Sequence, residues 1–186
     1  MSYSIVSITQ DPSTCFMRKP TQKVDFPLSA EHLALYEVLS KEVVVQEGVG
    51  LAANQLGAPY AMAAIHVPDD ERLKKTRADF SQTFEGVLIN PSYASLSQDQ
   101  SCDWEACFSV PDLVGLVPRY TFIEVTFQTL DGLVTKVQAA GFLARVFQHE
   151  IDHLNGIAFV DRIKPENTMT IKAYRSFRQE QMTVLS

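Results

Sequence analysis

Apolar side chains recur at helical spacing in the segment 29–47, at positions Leu35, Tyr36, Leu39 and Val43. Because an α-helix turns about 100° per residue, these positions fall on one face. Ser29 is a suitable N-terminal cap, and Gly48 is a natural stop at the other end. The pattern therefore predicts one amphipathic helix over residues 29–47.

Four later segments are rich in β-branched and aromatic residues, which favour strands. They cover residues 60–67, 86–96, 120–130 and 133–139, and Asp131-Gly132 is a typical hairpin turn between the last two. Further helices are predicted from Gly141 to about Asn155, with Gly156 as the stop, and from Thr168 to Met182. We therefore expect an α+β fold, in which small antiparallel β-sheets surround a central helix and the charged residues 68–82 form a surface insertion.

The central helix carries an unusual polar segment, Gln-His-Glu-Ile-Asp-His, at residues 148–153. His149 and His153 are four residues apart, so they lie on one face and could share a metal ion. Glu150 falls beside that face, where a general base acting on water is needed. A surface helix that carries two histidines by chance is the alternative interpretation.

A catalytic site of this kind usually has three protein ligands, so a third must come from elsewhere. A metzincin-type protease would have a histidine where Phe159 stands, although Gly156 fits that pattern. A thermolysin-like enzyme would use a downstream glutamate as the third ligand, but Glu166 and Glu180 lie in a polar segment without a surrounding motif. Cys107, in Glu105-Ala106-Cys107-Phe108-Ser109-Val110-Pro111, is the better candidate, and its neighbours predict a loop.

The three cysteines, Cys15, Cys102 and Cys107, show no regular spacing. An odd count without spacing does not indicate a disulfide framework. Residues 1–10 contain no basic region followed by an apolar run, so no signal peptide is expected there. We therefore expect a cytoplasmic protein with reduced thiols.

A glycine-rich segment, Gly-Val-Gly-Leu-Ala-Ala-Asn-Gln, covers residues 48–55. Glycines allow close backbone approach, and the amide of Gln55 can donate to a carbonyl oxygen. A dinucleotide-binding loop is the alternative, since Val43-Val44-Val45 could be the strand that precedes such a loop. The predicted helix over 29–47 argues against it, because the glycines then follow a helix.

The segments 48–55, 105–109 and 148–153 resemble, in this order, the three motifs of the peptide deformylase family. Those motifs are Gly-x-Gly-Φ-Ala-Ala-x-Gln, with Φ apolar, Glu-Gly-Cys-Leu-Ser and Gln-His-Glu-x-Asp-His. The resemblance extends from about Arg18 to Ile163. Two departures fall in the second motif, where Ala106 replaces glycine and Phe108 replaces leucine. Neither removes a ligand or an acid–base group, but the larger ring of Phe108 could narrow the substrate groove.

The resemblance implies a metallohydrolase that removes the formyl group from the N-terminal formyl-methionine of new polypeptides and releases formate. It implies that Cys107, His149 and His153 hold the metal and that Glu150 transfers the proton. The amide of Gln55 and the backbone N–H of Phe108 would stabilise the oxyanion. Another metallohydrolase with the same ligands, and a relative that has lost activity, remain as alternatives.

The family pattern also implies residues that surround this chemistry. An apolar pocket for methionine would be formed by Val49, Gly50, Phe142 and Val146, although such a helical stripe is often plain core. Glu105 and Arg119 would form an ion pair behind the Cys107 loop, unless both are solvated surface charges. Arg145 could reach either the peptide backbone or an acidic partner.

The ligand types do not identify the metal. Two imidazoles and one thiolate suit zinc, and iron, nickel or cobalt would also bind. The resemblance implies Fe²⁺, for which the other metals can substitute. The resemblance implies nascent formyl-methionyl polypeptides as partners and the ribosome as the place where they are met.

Composition agrees with a single catalytic domain over residues 1–186. The length allows one sizeable core, and 46% hydrophobic with 20% charged residues is ordinary for a globular protein. The net charge of −6 makes a nucleic-acid surface unexpected. No apolar run approaches the roughly 18 residues of a membrane span.

Overall fold

The computed structural model describes residues 4–9 and 16–184. Its elements are α1 (Ala30–Val45), β1 (Gly50–Ala52), β2 (Met62–Val67), α2 (Glu71–Thr76), β3 (Phe84–Ser95), β4 (Gln100–Cys107), β5 (Val110–Tyr120), β6 (Phe122–Gln128), β7 (Val134–Ala140), α3 (Gly141–Leu154), β8 (Thr168–Thr170) and α4 (Ile171–Val184). Cys15 lies outside the described residues, as do parts of the segment 1–10.

The strands form two antiparallel sheets, as expected for an α+β fold. One has five strands in the order β1-β2-β3-β6-β7, and the other has three in the order β4-β5-β8. β6 and β7 form the predicted hairpin, but its loop covers the five residues 129–133 and includes Gly132 at φ 85°. The four predicted strands are thus confirmed, with bounds shifted by a few residues.

The predicted amphipathic helix is α1. Leu35, Leu39 and Val43 are buried on one side of it, and the hydroxyl of Ser29 accepts the N–H of His32 at 3.2 Å. The helix ends two residues before the predicted position. Glu47, at φ 53°, makes the left-handed turn that we expected at Gly48.

α3 is the central helix and is buried on nearly all sides. Val146, Phe147 and Ile151 join a core that includes residues of the five-stranded sheet, and α3 also contacts β5 of the second sheet. Gly141 begins the helix at φ 54°, and Gly156 follows its end at φ 76°. The helix therefore lies between the two sheets, which places its polar side chains inside the protein.

Two predictions from the sequence are wrong. Cys107 is not in a loop, because it is the last residue of β4, which pairs with β5 in a hairpin. Neither strand was predicted, since prolines, glycines and charges interrupt their apolar pattern. The segment 68–82 is more than a charged insertion, because it contains α2 with buried Leu73.

Candidate active site

The three predicted ligand residues meet at one point between α3 and the end of β4. The Nε2 atoms of His149 and His153 are 3.0 Å apart, and the Cys107 Sγ lies 3.2 Å from the Nε2 of His153. One donor atom from each residue lies within 4.8 Å of the others. Cys107 reaches the histidines although it is far from them in sequence, because β4 pairs with β5 and β5 packs against α3.

These donors fit a metal ion. A tetrahedral ion with bonds of about 2.0–2.3 Å separates its ligand atoms by roughly 3.3–3.7 Å, which is close to the spacing found here. Burial alone would raise the pKa of Cys107, but the neighbouring His153 and His149 rings hold that pKa well below its usual range. The cysteine is therefore ready to act as a thiolate, the form in which it ligates metals.

Glu105 fixes the orientation of the first histidine. Its Oε2 lies 2.8 Å from the Nδ1 of His149, so the Nε2 faces the other two donors. Arg119 donates to both carboxylate oxygens at 2.9 Å, and Arg145 donates to Oε1 at 2.8 Å. Burial alone would raise the pKa of Glu105, but hydrogen bonds from Arg119 and His149 keep it well below its usual range. A carboxylate that holds a ligand histidine in this way selects its tautomer.

The predicted ion pair between Glu105 and Arg119 is thus buried, and the alternative of solvated surface charges does not hold. Arg145 was expected to reach either the peptide backbone or an acidic partner. In the structure it binds an acidic partner, Glu105, and donates to the Val117 carbonyl at 2.8 Å, and it also lines the cavity.

The second histidine is held through the backbone and through a further buried carboxylate. Asn54 donates from Nδ2 to the His153 carbonyl at 2.5 Å. Asp152, on the adjacent position of α3, forms ion pairs with Arg119 and Arg162. The ligand helix is therefore tied to β5 and to the glycine-rich segment on both sides of the site.

Gln55 lies at the site with its amide orientation fixed. The N–H of Ala52 donates to its Oε1 at 2.8 Å, so the amide nitrogen must face the other way. That Nε2 lies 3.5 Å from the Cys107 Sγ and 3.3 Å from the Ser109 Oγ. A buried N–H donor thus points at the atoms around which the reaction would occur.

Glu150 is 4% exposed, and its Oε2 has no hydrogen-bond partner among the described residues. Burial raises the pKa of this carboxyl group. Gly50 lies directly opposite, and a Cβ at that glycine would come within 2.3 Å of the Glu150 Oε1. The second glycine of the motif is therefore required because the carboxylate occupies the space of a side chain.

A cavity of about 490 Å³ opens beside the donors. All four predicted pocket residues line it, namely Val49, Gly50, Phe142 and Val146. Phe108 stands at the β4–β5 turn, 43% exposed, and its ring lies against Gly48. It lines the cavity, and whether its ring narrows the groove stays a prediction.

Several site residues were not predicted from the sequence. Asn54, Asp152, Arg77 and Trp104 each contact the site or line its cavity. One signal was available for Asp152, because polar residues cover more than half of the circumference of α3 between residues 145 and 153. Polar side chains on a central helix need hydrogen-bond partners when they are buried, and the charged residues of β4 and β5 provide them.

On chemical grounds, two histidines and a cysteine beside a buried carboxylate, whose Oε2 has no partner among the described residues, are typical of a mononuclear metallohydrolase. The comparisons with known proteins give the family. The sequence model of the polypeptide deformylase family matches residues 5–169. The chain therefore belongs to the polypeptide deformylase family, whose metal-dependent members remove N-terminal formyl groups from nascent peptides.

Two curated relatives extend this result over nearly the whole chain. Peptide deformylase 2 of Rickettsia conorii is 38% identical over 168 residues, covering 89% of this chain and 83% of the relative. Peptide deformylase of Lacticaseibacillus casei is 38% identical over 184 residues, covering 91% and 95%. The chain is accordingly a hydrolase that acts on formylated peptides, and the two alternatives, a different metallohydrolase and an inactive relative, are not supported.

Solved structures show the same fold. Peptide deformylase from Ehrlichia chaffeensis has a TM-score of 0.76 at 25% identity, with all of both chains covered. A probable peptide deformylase from Synechococcus phage S-SSM7 has a TM-score of 0.71 at 33% identity, covering 87% of this chain and 100% of that one. A peptide deformylase from Acinetobacter baumannii bound to Met-Ala-Ser has a TM-score of 0.71 at 26% identity, covering 88% and 99%.

Within the described residues, no helix has the length and apolar character needed to cross a membrane.

Proposed function

We propose that Cys107, His149 and His153 hold one divalent metal ion. The chain then removes the formyl group from nascent formyl-methionyl polypeptides by means of Glu150, Gln55 and the backbone N–H of Phe108. By family resemblance the ion is Fe²⁺, and zinc, nickel or cobalt would substitute for it. The observation that carries the proposal is the convergence of the three donors beside the Oε2 of Glu150, which has no hydrogen-bond partner in the described part of the chain. The proposed setting is the cytoplasm, at the ribosome, within one catalytic domain over residues 1–186.

A divalent cation bound to these donors would lower the pKa of water toward neutrality, which no side chain of the site achieves by itself. Glu150 then takes the proton of the attacking water and passes it to the departing amine. Its free Oε2 is available for both transfers. The carboxyl group is buried, so bulk water does not compete for the proton.

Gln55 stabilises the negative charge that develops on the formyl oxygen. Its Nε2 is aimed by the bond from the Ala52 N–H to Oε1, so little reorientation is needed during the reaction. The backbone N–H of Phe108 is the second proposed donor, since Phe108 directly follows Cys107 at the turn. In other enzymes one such donor contributes a factor of about 10²–10³ in rate.

The methionine side chain is proposed to enter the cavity between Val49, Phe142 and Val146. A long, flexible thioether fits an apolar space of this size. The Met-Ala-Ser peptide in the Acinetobacter baumannii structure has the form of a deformylated product, which supports the same substrate class for this chain.

The test is formate release by protein loaded anaerobically with Fe²⁺. Initial rates are compared on a formyl-Met peptide, a formyl-Gly peptide and an unformylated peptide. We expect formyl-Met to be at least about tenfold faster than formyl-Gly, because burying a side chain of this size gives about 1.5–3 kcal/mol. Equal rates would refute the pocket, and cleavage at internal bonds would indicate a peptidase instead.

A further inference from the structure

Arg77 contributes a cation to the cavity wall that the proposed mechanism does not use. It directly follows α2, in the segment that the sequence suggested was only a surface insertion. Its guanidinium carbon lies 4.8 Å from the centroid of the Phe142 ring, and its Nη1 donates to the Oδ2 of Asp103 at 2.5 Å. The arginine therefore stacks on one pocket residue and is held by a carboxylate of β4.

Arg77 also separates two cavities. It lines the active-site cavity of about 490 Å³ and a neighbouring cavity of about 710 Å³. Asp103 lines the second cavity, and Trp104, the next residue of β4, lines the first. The ion pair thus stands between the space beside the catalytic residues and a second space that could extend it.

The segment that carries Arg77 is fixed to the start of α3. The Phe142 N–H donates to the Asp79 carbonyl at 3.3 Å, and the Ala140 N–H donates to the Gln82 Oε1 at 2.7 Å. A Cβ on Gly141 would meet the Asp79 carbonyl at 2.3 Å. The position of Arg77 relative to Phe142 is therefore set by backbone contacts and does not depend on the ion pair alone.

We propose that the Arg77–Asp103 ion pair is the end wall of the pocket for the N-terminal side chain, and that it selects uncharged side chains of about methionine length. This inference rests on the proposed function in one respect, that the side chain occupies the cavity beside Phe142. The pair is neutral as a unit, and its two side chains are 27% and 33% exposed.

The charges of the pair make the proposal specific. If Asp103 becomes neutral, the Arg77 cation loses its partner and can instead bind an acidic side chain of the substrate. If Arg77 becomes a small apolar residue, the Asp103 carboxylate loses its partner and favours a basic side chain of the substrate. The wall between the two cavities is then open. An ion pair that merely supports the fold gives no such dependence on the sign of the substrate charge.

The experiment measures kcat/KM for four peptides that differ in the N-terminal residue, formyl-Met, formyl-Glu, formyl-Lys and formyl-Trp. Asp103→Asn should raise the ratio of formyl-Glu to formyl-Met at least tenfold. Arg77→Ala should raise the ratios of formyl-Lys and formyl-Trp to formyl-Met. The double variant should show neither charge preference but should still accept formyl-Trp. Arg77→Lys keeps the charge and should leave the formyl-Glu and formyl-Lys ratios near those of the wild type.

Arg72→Ala is the matched control, because Arg72 is an exposed arginine of α2 that lines neither cavity. It should leave all four ratios unchanged.

A uniform loss of kcat/KM in the Arg77 and Asp103 variants, with all ratios as in the wild type, would overturn the proposal. Thermal unfolding and metal content identify a variant that is misfolded, and Asp103→Asn, which keeps the side-chain volume, then provides the decisive ratios. A wild-type protein inactive on formyl-Met would refute the proposed function instead.

Discussion

The cavity has two sides that are built differently. On the inner side Glu105, Arg119 and Arg145 are 6%, 2% and 3% exposed, and each makes several hydrogen bonds. On the outer side Phe108 is 43% exposed, and the Arg77–Asp103 pair is about one third exposed. The inner side holds the three candidate metal donors in place, whereas the outer side is where we propose that the substrate side chains make contact.

The difference teaches where substitutions can be tolerated. A buried charge that loses its partner is strongly destabilising, so the inner network can change only as a unit. An exposed pair contributes much less to stability, because water replaces the lost partner. We therefore expect changes on the inner side to abolish chemistry and changes on the outer side to alter substrate preference.

The largest effect is expected at the ligands. Cys107→Ala and His153→Ala should each lose most of the bound metal, and turnover should fall with it, because a three-ligand site is left with two donors. Metal content per chain after gel filtration is the measurement. Cys102→Ala is the matched control, since Cys102 is an exposed cysteine of the same strand. Full retention of metal in both ligand variants would contradict the assignment.

The next effect is expected at Glu150. Glu150→Gln keeps the size of the side chain but cannot accept a proton, so turnover should fall by about 10²–10⁴. The protein should keep its fold and most of its metal, because Glu150 is beside the donors and does not belong to them. Turnover close to the wild type in a variant with full metal content would exclude the role of general base.

The two sides also differ in how well the sequence predicts them. The spacing within the α3 motif identifies His149, Glu150 and His153, because a helix relates residues four apart by geometry alone. Cys107 was only the better of several candidates until the family resemblance was added, since a residue of β4 meets α3 only through tertiary packing. Arg77 and Asp103 carry no local signal at all. The two side chains form an ion pair because the segment after α2 is fixed to the start of α3. Neither helical nor strand periodicity in the sequence predicts that contact.

Two neighbouring glycines provide a direct comparison of the two sides. Gly50→Ala places a methyl group against the buried Glu150, whose carboxylate must then move, because β1 is fixed by its pairing with β2. Gly48→Ala places the same group against the Phe108 ring, which is exposed and can turn away. We expect Gly50→Ala to lower kcat at least about tenfold with metal retained. A tenfold fall requires the displaced carboxylate to raise the activation free energy by only about 1.4 kcal/mol. The change in kcat for Gly48→Ala should be about threefold or less, and similar losses in both variants would mean that the two sides do not differ.

The smallest effect is expected at Phe108, where the family has leucine. Phe108→Leu keeps the backbone N–H that is proposed as the second oxyanion donor and removes only part of an exposed ring. Because the proposed donor is kept and the ring is exposed, we expect kcat on a formyl-Met-Ala peptide to change by about twofold or less, which corresponds to about 0.4 kcal/mol of activation free energy. The ring stands at the opening, and a bulky second residue of the substrate would meet it first. The variant should therefore gain more in kcat/KM on a formyl-Met-Trp peptide than on formyl-Met-Ala. An equal gain on the two peptides would show that Phe108 does not restrict the groove. A large fall in kcat would show instead that the Phe108 side chain contributes to catalysis, as we expect of the residues on the inner side.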